Sequence, residues 1–543
     1  MKPNAHSRAI RALQLAFILL VFGLDFGHGI LLGEYNIAFQ PIYRLRQSLA
    51  IAISRMHEPS AQGYLAYQSV VNSFNENGFA IFSSDQGPHL DGEELGSFLT
   101  DTARIDRALQ QARDASINSN LQPELIRGNE LGYADYSYLA FCIFGTHIAS
   151  FYYFYFLLLG LACSLFLMEY RNSPFLMFLL AVYLAGLFFL QNYAQSAGHQ
   201  LSSLANSRMF DALSLLPAMH VLVATWRKTP PRLPTLVTVS GQAVILAFLV
   251  STRTAVSWQV AMIVVASLVV MLTALSAKRR PWRERKAKLL TAAWPCTLTL
   301  LFLVAHSAAI RMNADARYDE ETGFHMLWHG VLSNILESNS KLQLLYVGNN
   351  EKYAEDEIAY DALVKDLNDR HDVSSPAAII EGNGHITIDL ARRSNRAFDQ
   401  LARSLSLRII FEHPLQVLAT LPKKASQQVS AYTQYGALRC ENLLGAAILA
   451  MLAGLIWLIG GSRGIKERDL ASVAAVVAIV LGCSLIPPLI APSGFSVGTL
   501  LSFLIAAFLG LLALAITAVR MANAVLASLV GRPKSGARTS VPH

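Results

Sequence analysis

Charge is what this chain has least of. Only 15% of its 543 residues are Asp, Glu, Lys or Arg, 53% are hydrophobic, and the mean hydropathy is +0.38. That balance excludes an ordinary soluble enzyme and fits a polytopic membrane protein. Cysteine is also sparse. All five (Cys142, Cys163, Cys296, Cys440, Cys483) lie in or beside apolar runs, so no disulfide framework holds the polar segments. Those segments contain no N-x-[ST] acceptor site, which argues against a eukaryotic secretory compartment and for a bacterial inner membrane. There is no Walker A loop, no G-x-G-x-x-G after a strand and no C-x-x-C, and the one G-x-S-x-G match, "GGSRG" (460–464), closes an apolar run of helical length where a hydrolase elbow would follow a strand. ATP-driven transport and hydrolase-fold catalysis are disfavoured accordingly. Internal repeats, coiled coils and low-complexity tracts are missing too.

What is present is apolar length. Runs of about twenty apolar residues, enough to span a bilayer, fall near 12–32, 138–168, 175–194, 209–226, 234–251, 257–277, 288–309, 441–460, 470–490 and 497–520. They predict an all-α bundle of about ten transmembrane helices with two mostly helical extracytoplasmic caps. Lysine and arginine set the orientation. With Lys2, Arg8 and Arg11 inside, every second loop is basic: Arg171, then "RKTPPR" (227–232), "KRRPWRERKAK" (278–288), Arg463 with Lys466 and Arg468, and a tail over 521–543. Both termini are therefore expected in the cytoplasm. The first span lacks an A-x-A-like cleavage site and reads as a retained anchor.

Two long segments, 33–136 and 310–439, are left outside. They hold 30 of the 37 acids, leaving 7 acids against 23 bases elsewhere. The pI near 9.1 thus reports anchoring beside anionic lipid, and no nucleic-acid partner is expected. In the first segment, "PIYRLRQSLAIAISRMH" (41–57) has the spacing of a helix lying in the membrane interface; a second helix is expected over 99–117. In the other segment helices are expected over 321–338, 351–370 and 393–411. "LQLLYVGN" (342–349) reads as a short strand or turn, and "VSSPAAIIEGNGHITIDL" (373–390) as a hairpin around "GNG".

Candidate chemistry gathers at one membrane face. In "VFGLDFGHGILLGEYN" (21–36), Asp25 and His28 share a helix face at i, i+3, and Glu34 follows. An acid inside an apolar span is a functional-site hypothesis by default, and packing against another polar group is the competing reading. Gln191, Asn192, Gln195, His199, Arg208, Arg253 and His306 crowd the outer ends of other spans. Arg208 or Arg253 suits a lipid phosphate, with ordinary snorkelling as the alternative. His220, deeper in its span, reads as a hydrogen-bonded packing residue. In "GFHMLWHG" (323–330), His325 and His329 have the i, i+4 spacing of zinc helices. Met326 replaces the glutamate of H-E-x-x-H and no third ligand follows, so no metal or other cofactor is expected. Trp328 there is suited to stacking on a sugar. Lys423 and Lys424, close to the run at 441–460, could meet a phosphate head group or simply be solvated.

The arrangement resembles the GT-C class of membrane glycosyltransferases, which use polyprenyl-phosphate-linked sugars. The large first outer loop, the second loop between spans seven and eight, and the acids Asp25 and Glu34 carry the resemblance. "GNELGYADYSYLAFCIFG", "SRMFDALSLLPAMHVL" and "GFHMLWH" are similar to segments of poorly characterised bacterial proteins of this type, with Glu130 where an aspartate is commoner. The resemblance implies an inverting transfer. Asp25, Glu34 or Glu130 would deprotonate an acceptor glycan, lipid or protein, while Arg208, Arg253 or the lysine pair stabilises the departing lipid phosphate. His28, His325, Trp328 and His329 would help to bind substrate. A transporter of lipid-linked glycans and a non-catalytic envelope-assembly protein are the rivals.

Overall fold

The computed structural model describes residues 5–31, 39–57, 63–77, 102–117, 123–124, 131–196, 209–227, 229–253, 256–276, 281–316, 318, 327–348, 355–371, 378–382, 384–388, 396–420, 467–484, 486, 498–499, 501–502, 505–506 and 525. Helix dominates from the start. α1 (Ala5–Leu31) and α2 (Phe39–His57) are followed by β1 (Ala66–Tyr67), α3 (Gln68–Glu76), α4 (Thr102–Ile117) and β2 (Pro123–Glu124). Next come α5 (Leu131–Phe144), α6 (Ala149–Tyr170), α7 (Pro174–Ser196), α8 (Met209–Arg227), α9 (Leu233–Thr252), α10 (Ser257–Ser276) and α11 (Trp282–Asn313). The remainder is α12 (Leu327–Ser338), α13 (Ser340–Tyr346), α14 (Glu355–Arg370), β3 (Ala378–Ile380), β4 (Ile386–Ile388), α15 (Arg396–Glu412) and α16 (Glu467–Ser484).

Five helices, α6 and α8 to α11, are long and apolar enough to cross a membrane, and the chain is a mostly helical, membrane-embedded protein. Shorter apolar stretches lie at Ala12–Gly27, Phe175–Phe188 and Ala475–Ser484. Of the ten expected runs, that at 441–460 lies outside the described residues, as does most of 497–520. One run is corrected. The stretch 138–168 is not a single helix, because Gly145 (φ +95°) breaks it between α5 and α6. Only glycine enters that backbone region at no steric cost.

Burial sorts the spans. The apolar window of α8 is 89% buried inside the protein, whereas that of α11 is 22% buried. A helix apolar on all sides belongs at the centre, and α8 fills that place, against α9, α10 and α11. Small residues set the closest approaches. A Cβ on Gly132 of α5 would stand 2.4 Å from the Ser251 carbonyl of α9, so those backbones touch.

The two long segments between the apolar runs differ in build. In the first, Leu49, Ala50, Ile51, Ala52 and Ile53 of α2 are all buried, with α5 and α4 against them. Burial on every side takes this stretch inside the protein, where an interface helix with one apolar stripe was expected. Its hydrophobic core is continuous with that of the bundle. β1 pairs with β2 antiparallel. The start of the second segment is tied to it: Asp315 N–H donates to the Gly63 carbonyl at 3.2 Å, and Tyr318 Oη to that of Tyr64 at 2.5 Å.

Beyond Leu327 the second segment closes a core of its own from Leu332, Leu336, Leu363, Phe398, Leu405 and their neighbours. The expected hairpin is present, with β3 and β4 antiparallel around Gly384 at φ +81°. The stretch expected as a strand or turn is helix instead. Asn339 caps α13 through its side-chain oxygen, which accepts from the backbone N–H of Lys341 and Leu342; such caps stabilise a helix start.

Candidate functional site

The first element of the site is Asp25. Phe22 and Phe26 of α1 meet Phe156 of α6 edge-on, with centroids 6.1 and 5.2 Å apart, and α1 also packs along α7. Asp25 is wholly buried there, and neither carboxylate oxygen has a hydrogen-bond partner among the described residues. Tyr155 and Cys163 of α6 and Tyr183 of α7 lie within electrostatic range. Both tyrosine protons are committed to α8: Tyr155 Oη donates to the Met209 carbonyl at 3.4 Å, and Tyr183 Oη to that of Ala212 at 2.9 Å. Tyr183 also reaches the Leu213 carbonyl at 3.5 Å, the group that Pro217, four residues on, leaves without an N–H.

These neighbours put Asp25 deeper than its place near the end of span one suggests. At 1.5 Å per residue and from the same face, Tyr155 and Cys163 lie roughly 9 and 21 Å along α6 from Ala149, and Tyr183 roughly 20 Å along α7 from Ser196. A carboxylate ion without partners in such surroundings costs several kcal/mol. The side chain therefore needs a proton, a hydroxyl or a cation from elsewhere.

The second element was missed in the sequence. Asp211, at the start of α8, is also wholly buried, but its oxygens are satisfied. Oδ1 accepts from the Trp258 indole N–H and from Gln259 Nε2, each at 2.9 Å, and Oδ2 from the Gly498 N–H at 3.1 Å. The Gln259 amide and the Ser214 hydroxyl also donate to the Asp211 backbone carbonyl. Arg253, which ends α9, lies in electrostatic range of this carboxylate. The signal was available: an acid following "NSRMF" at the head of an apolar run obeys the rule that singled out Asp25.

The third element joins the segment that follows α1 to the bundle. Asp135 of α5 is ion-paired with Arg55 of α2 and accepts from Tyr64 Oη at 2.8 Å. The Arg55 guanidinium stands 4.6 Å from the Tyr138 ring centroid, a cation–π distance. Burial works against the Arg55 charge, and Asp135 more than offsets it, so its pKa is raised. Burial and then Asp135 push the Tyr64 phenol above its ordinary range. His306 of α11 feels Asp135 electrostatically and contacts Ser251 Oγ through Nε2 at 2.9 Å.

Of the other sequence candidates, Glu34, Glu130, Arg208, His325, Lys423 and Lys424 lie outside the described residues, as does the side chain of His28. Trp328 and His329 are packed within the second cap. Asp399 accepts from both of their backbone N–H groups, at 2.8 and 3.3 Å, and so caps α12. The Arg403 guanidinium lies 5.8 Å from the Trp328 ring, and the Phe398 ring 5.5 Å from that of His329. His220 is buried in α8 with Nδ1 against the Gln242 amide at 3.3 Å. Arg253 is thus drawn to Asp211 and not to Asp25. Comparison of the chain with protein families, with curated proteins and with solved structures yields no match.

Proposed function

We propose that the protein is a multi-pass GT-C-type glycosyltransferase of a bacterial inner membrane. It moves a sugar from a polyprenyl-phosphate donor to an envelope glycan, lipid or protein acceptor on the outer face, and both termini are cytoplasmic. One observation carries the reading: Asp25 is fully buried, yet no described group satisfies its carboxylate. Nature rarely leaves an acid so placed unless a ligand or proton completes it. In the proposed step Asp25 takes the proton of the acceptor hydroxyl. The hydroxyl oxygen bonds to the anomeric carbon as the bond from that carbon to the lipid phosphate breaks, with inversion. Arg208 and the Lys423–Lys424 pair are the candidates for holding the departing phosphate, since Arg253 is engaged with Asp211.

The test is sugar transfer by purified protein in lipid, with a synthetic polyprenyl-phosphate sugar and a set of acceptors. Asp25→Asn is expected to lose at least about 100-fold in rate, the scale of general-base catalysis, while remaining folded. Undiminished transfer by that variant would remove Asp25 from the role.

A second reading, movement of a lipid-linked glycan across the bilayer, is favoured by the depth of Asp25 in the bundle, since transporter sites lie near the midplane. Relocation of a labelled lipid-linked sugar between leaflets without product formation would select it.

A further inference from the structure

Below Asp25 the bundle contains further polar atoms that no described group meets. Gln242 of α9 is wholly buried, and its Nε2 donates to the Ala162 carbonyl of α6 at 2.7 Å. That bond fixes the amide orientation, because two oxygens would repel there. The other Nε2 hydrogen faces His220 Nδ1 at 3.3 Å, so Nδ1 accepts and the neutral ring carries its hydrogen on Nε2. Gln242 Oε1, an acceptor, and His220 Nε2, a donor, then have no partner among the described residues, and neither does the Thr225 hydroxyl, also fully buried. Unmet donors and acceptors in a buried interior are what ordered water satisfies.

These atoms form a row. Along α6, Asp25 neighbours Tyr155 and Cys163, Gln242 bonds Ala162, and the His220 ring packs on Phe166 and Tyr170 at 5.6 and 4.8 Å. From Tyr155 to Tyr170 is roughly 22 Å of helix, most of a hydrocarbon core of about 30 Å. At the far end Glu169 accepts from Thr235 at 3.0 Å and Thr238 at 3.3 Å. Tyr170 stands beside it, with the Arg227 guanidinium 5.8 Å from the Tyr170 ring. The titratable or charged groups along the row are thus Tyr155, Cys163, Tyr183, His220, Tyr170, Glu169 and Arg227.

We propose that this row is a proton path: a file of water, oriented by Gln242 Oε1 and His220 Nε2–H, lets Asp25 exchange its proton with the Glu169 end of the bundle. One proton leaves Asp25 for the file as one leaves the file at Glu169, and no electrons move. Gln242 and His220 are positioning residues that hold water and keep their own hydrogens. The path serves a base that must discharge after each turnover, or a transporter that takes up protons. It does not depend on the sugar-transfer reading, because its test measures hydration and protonation, not activity.

That test uses the full chain in oriented vesicles, with aspartate and histidine isotopically labelled for solid-state NMR. Magnetisation from water is expected to reach the His220 ring nitrogens as fast as it reaches surface side chains. The Asp25 carboxyl signal, assigned by its loss in Asp25→Asn, is expected to follow the pH of the compartment at the Glu169 end. Gln242→Leu and His220→Leu should slow that response at least tenfold, and His220→Gln, which still donates, should retain it. Thermal unfolding establishes which variants are folded, and either leucine variant suffices. A dry His220 overturns the proposal. So does an Asp25 signal that ignores that compartment, or one that responds equally fast in a folded leucine variant.

Discussion

Gln259 grips Asp211 twice, with its amide nitrogen 2.7 Å from the backbone carbonyl and 2.9 Å from the carboxylate. With Trp258 and Gly498 this makes Asp211 the hub joining α8, α10 and residue 498. Asp211→Ala strands the Trp258 and Gly498 donors and part of the Gln259 amide in an apolar interior. The expected loss is about 3–5 kcal/mol, as for breaking other buried charged networks. Asp211→Asn retains one acceptor oxygen but turns a donor toward Gly498 N–H, so it should lose less. Thermal midpoints in detergent check the order; an alanine variant as stable as the asparagine one would contradict it.

Tyr183 and Pro217 should be coupled. Pro217 removes the N–H that would bond the Leu213 carbonyl, and the Tyr183 hydroxyl lies 2.9 and 3.5 Å from the two carbonyls of that turn. Tyr183→Phe is expected to cost about 1 kcal/mol, an ordinary net hydrogen bond. In a Pro217→Ala background the restored N–H takes part of that load. A double-mutant cycle should show coupling of about 0.5 kcal/mol or more; strict additivity would refute the link.

Asp106 and Ile148 test the seam between α4 and α6. The Asp106 carboxylate accepts from the Ile148 N–H at 2.7 Å. Burial nevertheless holds its pKa above the ordinary value, against the pull of Ile148 and His147. A raised pKa means that folding makes the charged form less favourable than it is in the unfolded chain. Asp106→Asn keeps the acceptor and drops the charge, so stability should hold or rise. Asp106→Ala loses the cap and about 1 kcal/mol. Equal losses in both variants, read from thermal melts, would show the charge itself to be needed.

The sequence made the spans legible because their physics is one-dimensional: α8, α9 and α10 begin and end within two residues of the apolar runs. The hairpin around Gly384 was equally plain, since its turn residues announce it. The break at Gly145 was not, because Thr146 and His147 are only a short polar interruption between two long apolar stretches. α2 misled for another reason. Its arginines suggest a water-facing side, yet Arg55 is spent on Asp135 and Tyr138, a partnership that exists only in three dimensions. Asp25 stood out as an acid in an apolar run. That it lacks a hydrogen-bond partner among the described residues, and that Asp211 has several, depends on which helices surround each one.

Tyr346 and Glu412 give a pH-dependent contact in the second cap. The Tyr346 hydroxyl donates to Glu412 Oε2 at 3.1 Å, and burial with this neighbour pushes the phenol from 10 up to about 12. A folded-state pKa raised above the unfolded one contributes stability that is complete below pH 10 and lost as pH climbs toward 12. The stability difference between wild type and Tyr346→Phe should therefore be constant at neutral pH and shrink across that window. A difference independent of pH would exclude the contact.

The most direct measurement is the thermal midpoint of Asp25→Asn and Asp25→Leu beside wild type, in the same lipid and at neutral pH. If Asp25 is kept for function in spite of its cost, both replacements remove an unmet buried acid, and their midpoints should equal or exceed that of wild type. Midpoints several degrees lower in both would make Asp25 a packing residue and leave the proposed chemistry without its base.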